Sequence, residues 1–160
     1  LELPVLTGAT RAELKSFLPA AASTANPVDM IASATADHYR RALAAVLRDE
    51  NVDSVLAIFI PPLVTAPAAV ADAIRASAAE DSGKPVLAIF MSAEGAPEAL
   101  SPIPSYAFPE SAAIALARAA DHAEWRRKPE GQVPRLDGID AHAAERIVEE
   151  SVRCGGGWLP

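Results

Sequence analysis

The chain has 160 residues, of which 51% are hydrophobic and 22% are charged, and its formal net charge at pH 7 is −7. This length suits one domain with a packed core and a trailing segment, and the composition is that of an ordinary globular protein. An acidic surface repels the phosphate backbone and the apolar runs fall short of the roughly 20 residues of a membrane-spanning helix, so we expect neither a nucleic-acid partner nor a membrane span.

The cysteine count and the two ends of the chain indicate its setting. Cys154 is the single cysteine, which excludes an internal disulfide and fits a reducing cytoplasm, the location that we predict. The first residues, Leu1 to Pro4, include no initiator methionine, and a glycine triplet precedes Trp158 to Pro160. We interpret both ends as positions within a longer polypeptide.

The first predicted element is a helix over residues 7–18, because Leu14, Phe17 and Leu18 recur at helical spacing. A short extended segment over residues 25–31 follows this helix. Its internal proline disfavours helical geometry at the preceding residue, which supports the extended assignment.

The second helix is predicted from Thr35, a favourable N-cap residue, to about Asp49. Its apolar residues recur every three or four positions, so they share one face of the helix. We expect that face to be buried against the rest of the fold: Tyr39, Leu43, Val46 and Leu47.

Two almost wholly apolar runs over residues 54–60 and 86–91 are typical of parallel strands covered on both faces, and we place the first at the centre of a sheet. A helix over residues 67–79 connects them and begins with proline at a favourable first position. A third strand over residues 103–108 contains Pro104, which favours an edge position.

A long helix over residues 109–127 follows the third strand, and the chain ends in an amphipathic helix over residues 141–153. Alternating strands and helices predict an α/β fold with a mostly parallel, Rossmann-like sheet between two helical layers. We assign residues 1–127 to this domain and residues 128–160 to a linker and its helix, because the composition shifts to proline, glycine and charge after residue 127.

Ligands of open parallel sheets bind at loops that follow the carboxyl ends of strands. Three such loops are predicted: the loop that follows the segment around Asn26 to Asp29, the turn over residues 61–65 and the loop over residues 91–95. The helix after the second loop offers free N–H groups to an anion, although two prolines remove donors from the loop itself. The second loop is more readily explained as a plain connection in which proline ends the strand, and Asn26 and Asp29 favour a structural role in turns.

The remaining reactive side chains do not form a catalytic set. His38, His122 and His142 fall on predicted helices, and none follows a strand beside a candidate nucleophile. Cys154 has no identifiable base, so we predict no catalytic residue and no metal site in this chain. Trp125 is expected to dock on the core from the end of its helix.

Five segments, in this order and at this spacing, closely resemble the NDP-forming acyl-CoA synthetases, which are single-chain relatives of succinyl-CoA synthetase: Ala25–Met30, Tyr39–Leu47, Asp53–Phe59, Pro61–Thr65 and Gly83–Leu87. The resemblance spans nearly the whole chain, and each motif by itself is moderately specific. In that family a CoA-binding domain, two flavodoxin-like domains and an ATP-grasp domain follow one another.

The resemblance implies that residues 1–127 are part of the second flavodoxin-like domain, without its first strand and glycine-rich turn. It implies that residues 128–160 lead toward the ATP-grasp domain. The implied partners are the CoA-binding, phosphohistidine and ATP-grasp domains of the same polypeptide, and a homo-oligomer is compatible with the family.

The implied reaction converts an acid, CoA and a nucleoside triphosphate into acyl-CoA, a nucleoside diphosphate and phosphate, through an acyl phosphate and a phosphohistidine. The family's histidine lies in a Ser-His-Thr-Gly motif that this chain lacks, so the chain would support the site without catalysing alone. ATP or ADP, Mg²⁺ and CoA would be used by the parent enzyme, and this chain would bind none of them by itself.

By the same resemblance, the turn from Pro61 to Thr65 and the helix after it face the phosphohistidine. Two prolines stand where the related subunit has a glycine pair, so the remaining backbone donors are those from Leu63 to Thr65. The candidate residues facing the substrate or the phosphohistidine are Asn26, Asp29, Leu63, Val64 and Thr65.

Two alternatives stay open. Some members of this family are fused to a GNAT acetyltransferase that modifies protein lysines, and there the ligase-like region senses a ligand. The chain could also be a free-standing receiver-like or flavodoxin-like interaction module. A receiver needs an acidic cluster at its strand ends, where Asp29 is the one candidate, and flavodoxin needs a phosphate-binding loop that this sequence does not show.

Overall fold

The computed structural model describes residues 1–61, 65–80, 83–92, 94–132, 134 and 137–157. The chain divides into two compact units, Leu1–Arg126 and Arg127–Pro160. The described helices and strands are α1 (Gly8–Phe17), α2 (Ala36–Leu47), β1 (Val55–Phe59), α3 (Pro67–Glu80), β2 (Val86–Phe90), a 3₁₀ helix (Glu98–Leu100), β3 (Ser105–Tyr106), α4 (Pro109–Arg127) and α5 (Ala141–Arg153).

The strands form one parallel sheet in the order β1-β2-β3. Val55 pairs with Val86 at one end of the β1–β2 ladder, and Phe59 pairs with Phe90 at the other. The prediction that β1 is central is wrong for the described residues, because β2 occupies the centre and β1 an edge. Burial agrees with this order, since every residue of β2 is buried whereas Ile58 in β1 is 43% exposed.

Helices cover both faces of the sheet. Ala57 and Phe59 pack with buried residues of α2 and α3 on one face. Leu87 and Ile89, which point the opposite way along β2, pack with Ala112 of α4 on the other face. The predicted three-layer, flavodoxin-like α/β fold with a parallel sheet is therefore confirmed.

The helices begin at the residues that the sequence favours as caps. The Thr7 side chain caps α1, and Thr35 caps α2 with a reciprocal hydrogen bond between the Thr35 backbone N–H and the His38 ring. Within the predicted apolar stripe of α2, Leu43 and Leu47 are buried, while Tyr39 and Val46 are half-buried. This helix contacts α1, α3 and β1.

The segment predicted as extended over residues 25–31 does not join the sheet of the described residues. Its backbone pairs once, in an antiparallel bridge between Ser23 and Asp29. The chain bends over Ala25 to Pro27 and turns back between Ser23 and Asp29, so the extended assignment is wrong for this part of the segment. The third strand is confirmed at an edge, shortened to Ser105 and Tyr106.

The helices α4 and α5 have the predicted bounds, but the predicted contact of Trp125 with the core is wrong. Trp125 does not dock on the core: its side chain is 66% exposed and stacks on His122, with ring centroids 5.7 Å apart. In the second unit, Asp140 caps α5, whose apolar side chains Ile147 and Val148 are each 54% exposed. Among the described helices, none has the length and apolarity required to cross a membrane.

Candidate functional site

A cavity lies at the carboxyl ends of β1 and β2, where α3 begins. Three segments line it: the end of β1, the first turn of α3 and the loop after β2. Its described lining residues are Pro61, Pro67, Ala68, Ser92, Glu94, Gly95, Ala96 and Pro97. Parallel strands bring their carboxyl ends to one edge of the sheet, so this is the edge at which α/β folds bind ligands.

The first turn of α3 supplies the positive electrostatic element of this cavity. Pro67 is its first residue, and the turn contains no acidic residue. The first N–H groups of a helix have no partner within the helix, and the aligned peptide dipoles place partial positive charge there. Ala68 lines the cavity from this turn, so its small side chain leaves the helix end accessible.

The loop after β2 closes the other side of the cavity in a tight turn. The Ser92 hydroxyl donates to the Gly95 carbonyl at 2.9 Å, and the Gly95 N–H donates to the Ser92 carbonyl at 3.2 Å. Gly95 has φ of +73°, which glycine adopts without steric cost. Glu94 is exposed on this turn and carries the single ionisable side chain among the described lining residues.

Sequence reasoning identified the loop after β2 but missed Ser92 and Glu94 as lining residues. Their position directly after the second apolar run was the signal that could have found them. An N–H-rich helix end, a hydroxyl and one carboxylate can hold a small polar group, whereas the described lining residues contain no pair of nucleophile and base.

Thr65 is held against the loop that precedes α2. Its hydroxyl donates to the Ala34 carbonyl at 3.0 Å. The Ala34 N–H donates to the Ile31 carbonyl at 3.1 Å, and the Ile31 N–H donates to the Asp29 carboxylate at 2.9 Å. A continuous path of hydrogen bonds therefore joins two of the predicted loops, the one with Asp29 and the one with Thr65. Leu63 and Val64, together with Pro62, lie outside the described residues.

Asn26 lies in a different place from Thr65. Its side-chain amide donates to the Pro4 carbonyl at 3.0 Å, and the residue lines a second cavity beside α2 and β1. Asp29 makes the local hydrogen bond to backbone that its residue type favours, whereas the bond of Asn26 joins segments 22 residues apart. The three described candidates do not converge on one cavity.

Tyr39 of α2 lies between these regions and reaches β1. Its hydroxyl donates to the Ile58 carbonyl at 3.0 Å, and its ring packs edge-on against Phe59. Burial, followed by the negative charge of Asp29, raises the pKa of Tyr39 to about 12. The phenol therefore remains a neutral hydrogen-bond donor at physiological pH.

The histidines lie on three different helices. The His38 Nδ1 atom accepts from the Thr35 N–H at 3.3 Å, His122 stacks on Trp125, and His142 is exposed near Glu145. Across the described part of the chain, no three His, Cys, Asp or Glu side chains are grouped to hold a metal ion.

Comparison with known proteins gives a consistent set of relatives, although no family model matches the chain. It is 43% identical over 123 residues to the alpha subunit of ADP-forming acetate–CoA ligase II of Pyrococcus furiosus. It is 31% identical over 149 residues to ADP-forming acetate–CoA ligase I of Archaeoglobus fulgidus. These matches cover 72% and 90% of this chain but 27% and 21% of the relatives, so the chain spans about a quarter of their length.

Solved structures agree with these relatives. A Pyrococcus horikoshii protein of known crystal structure matches 78% of this chain at a TM-score of 0.69 and 35% identity. Dinucleotide-forming acetyl-coenzyme A synthetase 1 of Ca. Korarchaeum cryptofilum matches 79% at a TM-score of 0.64 and 28% identity, in its apo form and in complex with phosphate and ADP. Each match covers 30% of the solved chain.

Proposed function

This chain is a CoA-ligase-like domain of the family of ADP-forming acetyl-CoA synthetases, and we propose that it supports the active site of such an enzyme without supplying its catalytic nucleophile. The parent reaction would convert a short carboxylic acid, CoA and a nucleoside triphosphate into acyl-CoA, a nucleoside diphosphate and phosphate. The observation that carries the proposal is the 43% identity to an acetate–CoA ligase subunit over 123 residues.

The cavity at the carboxyl ends of β1 and β2 is the part of this domain that we assign to the reaction. A phosphohistidine from elsewhere in the polypeptide would approach the first turn of α3, whose N–H groups and dipole favour an anion. The hydrogen bond of Thr65 to the Ala34 carbonyl would hold Thr65 in position beside the loop before α2. The phosphoryl group would pass from the histidine to the carboxylate of the acid, and the CoA thiolate would then displace phosphate from the acyl phosphate.

The other reactants would be held by the rest of the enzyme. Nucleotide, Mg²⁺ and CoA would bind on the partner domains of the same polypeptide. The catalytic histidine would also come from another domain, which is compatible with the position of this chain's own histidines on three separate helices.

The test is an assay of the full-length protein beside residues 1–160 alone. We expect ADP formation that depends on acetate and CoA from the full-length protein, and none from residues 1–160. Absence of turnover with every short acyl acid would contradict ligase function. In that case, loss of the Ser-His-Thr-Gly motif from the full-length sequence would point instead to a ligand-sensing role in an acetyltransferase.

A further inference from the structure

Ile31 has a backbone conformation that its residue type rarely adopts. Its φ is +57°, in the left-handed region, where a β-branched side chain crowds the backbone. Among the described residues it is the one residue other than glycine with a positive φ. Conformations of this kind persist only where surrounding contacts hold them, and they concentrate at functional sites. The contacts on either side of Ile31 therefore indicate what its bend does for the fold.

Hydrogen bonds hold the bend at Ile31 from both sides. Before it, the backbones of Ser23 and Asp29 bond to each other at 2.9 and 3.1 Å, and the Asp29 carboxylate accepts from the Ile31 N–H at 2.9 Å. After it, the Ile31 carbonyl accepts from the Ala34 N–H at 3.1 Å. Asp29 is exposed whereas Ala34 is 5% exposed, so this path of hydrogen bonds leads from the surface into the fold.

The Ala34 carbonyl is the inner end of this path. It accepts from the Thr65 hydroxyl at 3.0 Å, and the two residues lie 31 positions apart in the sequence. The carbonyl of a residue buried this deeply needs a partner within the protein, so the bond ties the two loops together. Thr65 lies two residues before Pro67, the first residue of α3.

The first turn of α3 has weaker support of its own than the other helices have. Ala66, which precedes Pro67, has a methyl side chain and cannot cap the turn. The Val70 N–H donates to the Ala66 carbonyl at 3.4 Å, a long bond. By contrast, side chains cap α1, α2 and α5. An uncapped turn keeps its N–H groups available to a ligand, but it depends on neighbouring contacts for its position.

We propose that Thr65 is a positioning residue for the proposed reaction: its hydroxyl, held by the Ala34 carbonyl and through it by the bend at Ile31, fixes the first turn of α3 beside the loop before α2. The inference rests on the proposed function, because the phosphoryl group would bind at that turn. Thr65 acts through the helix and touches no reactant. Its loss therefore slows turnover without weakening the binding of the acid or of CoA.

Paired variants of Thr65 in the full-length protein test the role of the hydroxyl. Thr65→Val keeps the shape of the side chain and removes the donor, so kcat for ADP formation should fall at least about tenfold. KM for acetate and for CoA should change by less than about twofold, because the residue contacts neither reactant. Thr65→Ser keeps the donor and should retain kcat within about threefold of the natural value.

Paired variants of Ile31 test whether the bend reaches α3. Ile31→Gly adopts the left-handed conformation without steric cost and keeps its N–H, so kcat should remain within about threefold of the natural value. Ile31→Pro cannot adopt a positive φ and loses the N–H that bonds to Asp29, so kcat should fall at least about tenfold. Equal kcat values for the two variants would overturn the role of the bend.

Amide hydrogen exchange of the same full-length variants reports on α3 without any need for activity. The Val70 amide, which bonds to the Ala66 carbonyl, should exchange at least about tenfold faster in Thr65→Val and in Ile31→Pro, because the first turn opens more often. Its exchange should be unchanged in Thr65→Ser. The Ile74 amide lies one turn further along at a fully buried residue, and it is the internal control that should keep its protection in every variant.

The two readouts separate failure of this inference from failure of the proposed function. Unchanged kcat of Thr65→Val in a full-length protein that turns over acetate would overturn the positioning role and leave the proposed function standing. A loss of kcat without faster exchange at Val70 would mean that the hydroxyl acts on the reactants themselves, which also overturns it. Equal losses in Thr65→Val and Thr65→Ser would exclude the hydroxyl as the cause. Faster exchange at Val70 in a full-length protein without turnover would support the tether and count against ligase function.

Discussion

At the scale of single residues, Asp49 shows how one side chain ties the start of the chain to α2. Asp49 is 2% exposed and accepts hydrogen bonds from the Thr7 N–H at 2.8 Å, the Thr7 hydroxyl at 3.0 Å and the Asn51 N–H at 2.9 Å. Burial by itself would raise the pKa of this carboxyl group, but the hydrogen bonds from Thr10, Asn51 and Thr7 outweigh it and lower the pKa to about 2. The ionised form is therefore the one that the fold stabilises.

We expect Asp49→Asn to lower the free energy of unfolding at pH 7 by about 2 kcal/mol, because charge-assisted hydrogen bonds are lost. Since the folded pKa lies below the unfolded value of about 3.9, the stabilisation is present above pH 4 and is lost as the pH falls from about 4 to about 2. Urea unfolding across this range measures both effects. The variant should lose less stability there than the natural protein, and Asp53→Asn at an exposed position should change the unfolding free energy by less than about 0.5 kcal/mol.

Ala68 tests the cavity at the start of α3. We expect Ala68→Glu to lower kcat/KM for ADP formation by the full-length protein at least about tenfold, because its carboxylate would repel a phosphoryl group at the helix end. Ala68→Gln controls for size, and Ala79→Glu places the same charge at the far, exposed end of the helix. Equal activity of Ala68→Glu and Ala79→Glu would contradict the assignment of this cavity.

At the scale of elements, α2 lines the cavity beside β1 and follows directly on the loop that accepts the Thr65 hydrogen bond. Tyr39 reaches β1 from it, and its cap lies one residue after Ala34, which accepts the Thr65 hydrogen bond. The helix begins where Thr35 and His38 cap each other's backbone N–H groups. The loop that bonds to Thr65 therefore continues directly into the capped first turn of α2.

We expect Thr35→Ala to lower the free energy of unfolding by about 1 kcal/mol, because the first turn of α2 loses its side-chain acceptor. Thr35→Ser keeps a hydroxyl at the same position and should retain most of the stability. Chemical denaturation of the two variants beside the natural protein gives the comparison. Equal losses for both would show that the methyl group, rather than the cap, carries the effect.

The elements also show which sequence signals were sufficient. Caps and apolar periodicity predicted α1, α2 and α5 well, because those signals act within a few residues. The same local signals could not place β1 at an edge, since a continuous apolar run is compatible with any position in a parallel sheet. They also could not show that residues 25–31 stay out of the sheet, because pairing depends on a partner strand elsewhere in the chain.

At the scale of the whole molecule, the buried clusters belong to one unit. All three clusters of buried residues lie between Leu6 and Ala112, within the unit Leu1–Arg126. No residue of α5 is buried, although its apolar side chains Ile147, Val148 and Val152 share one face. None of these clusters includes a described residue of the second unit.

We expect residues 1–128 to fold with the thermal midpoint of the whole chain, within about 2 °C, because the truncation removes no buried cluster. Circular dichroism during heating provides the measurement, and far-ultraviolet spectra should lose only the contribution of α5. Residues 1–108, which also lack α4, are the control. They should be clearly less stable, since Ala112 packs on Leu87 and Ile89. A large fall in the midpoint of residues 1–128 would show that the second unit stabilises the first.

The sequence by itself determined the class of the fold, the bounds of most helices and the family, because periodicity, caps and ordered motifs are written locally along the chain. Only the tertiary structure decided that β1 is an edge strand, that Asn26 and Thr65 lie in different places, and that Ser92 and Glu94 line the cavity beside α3. These facts depend on which segments meet across long separations in sequence. Sheet order and side-chain convergence result from burial and pairing of the whole chain, which no local pattern contains.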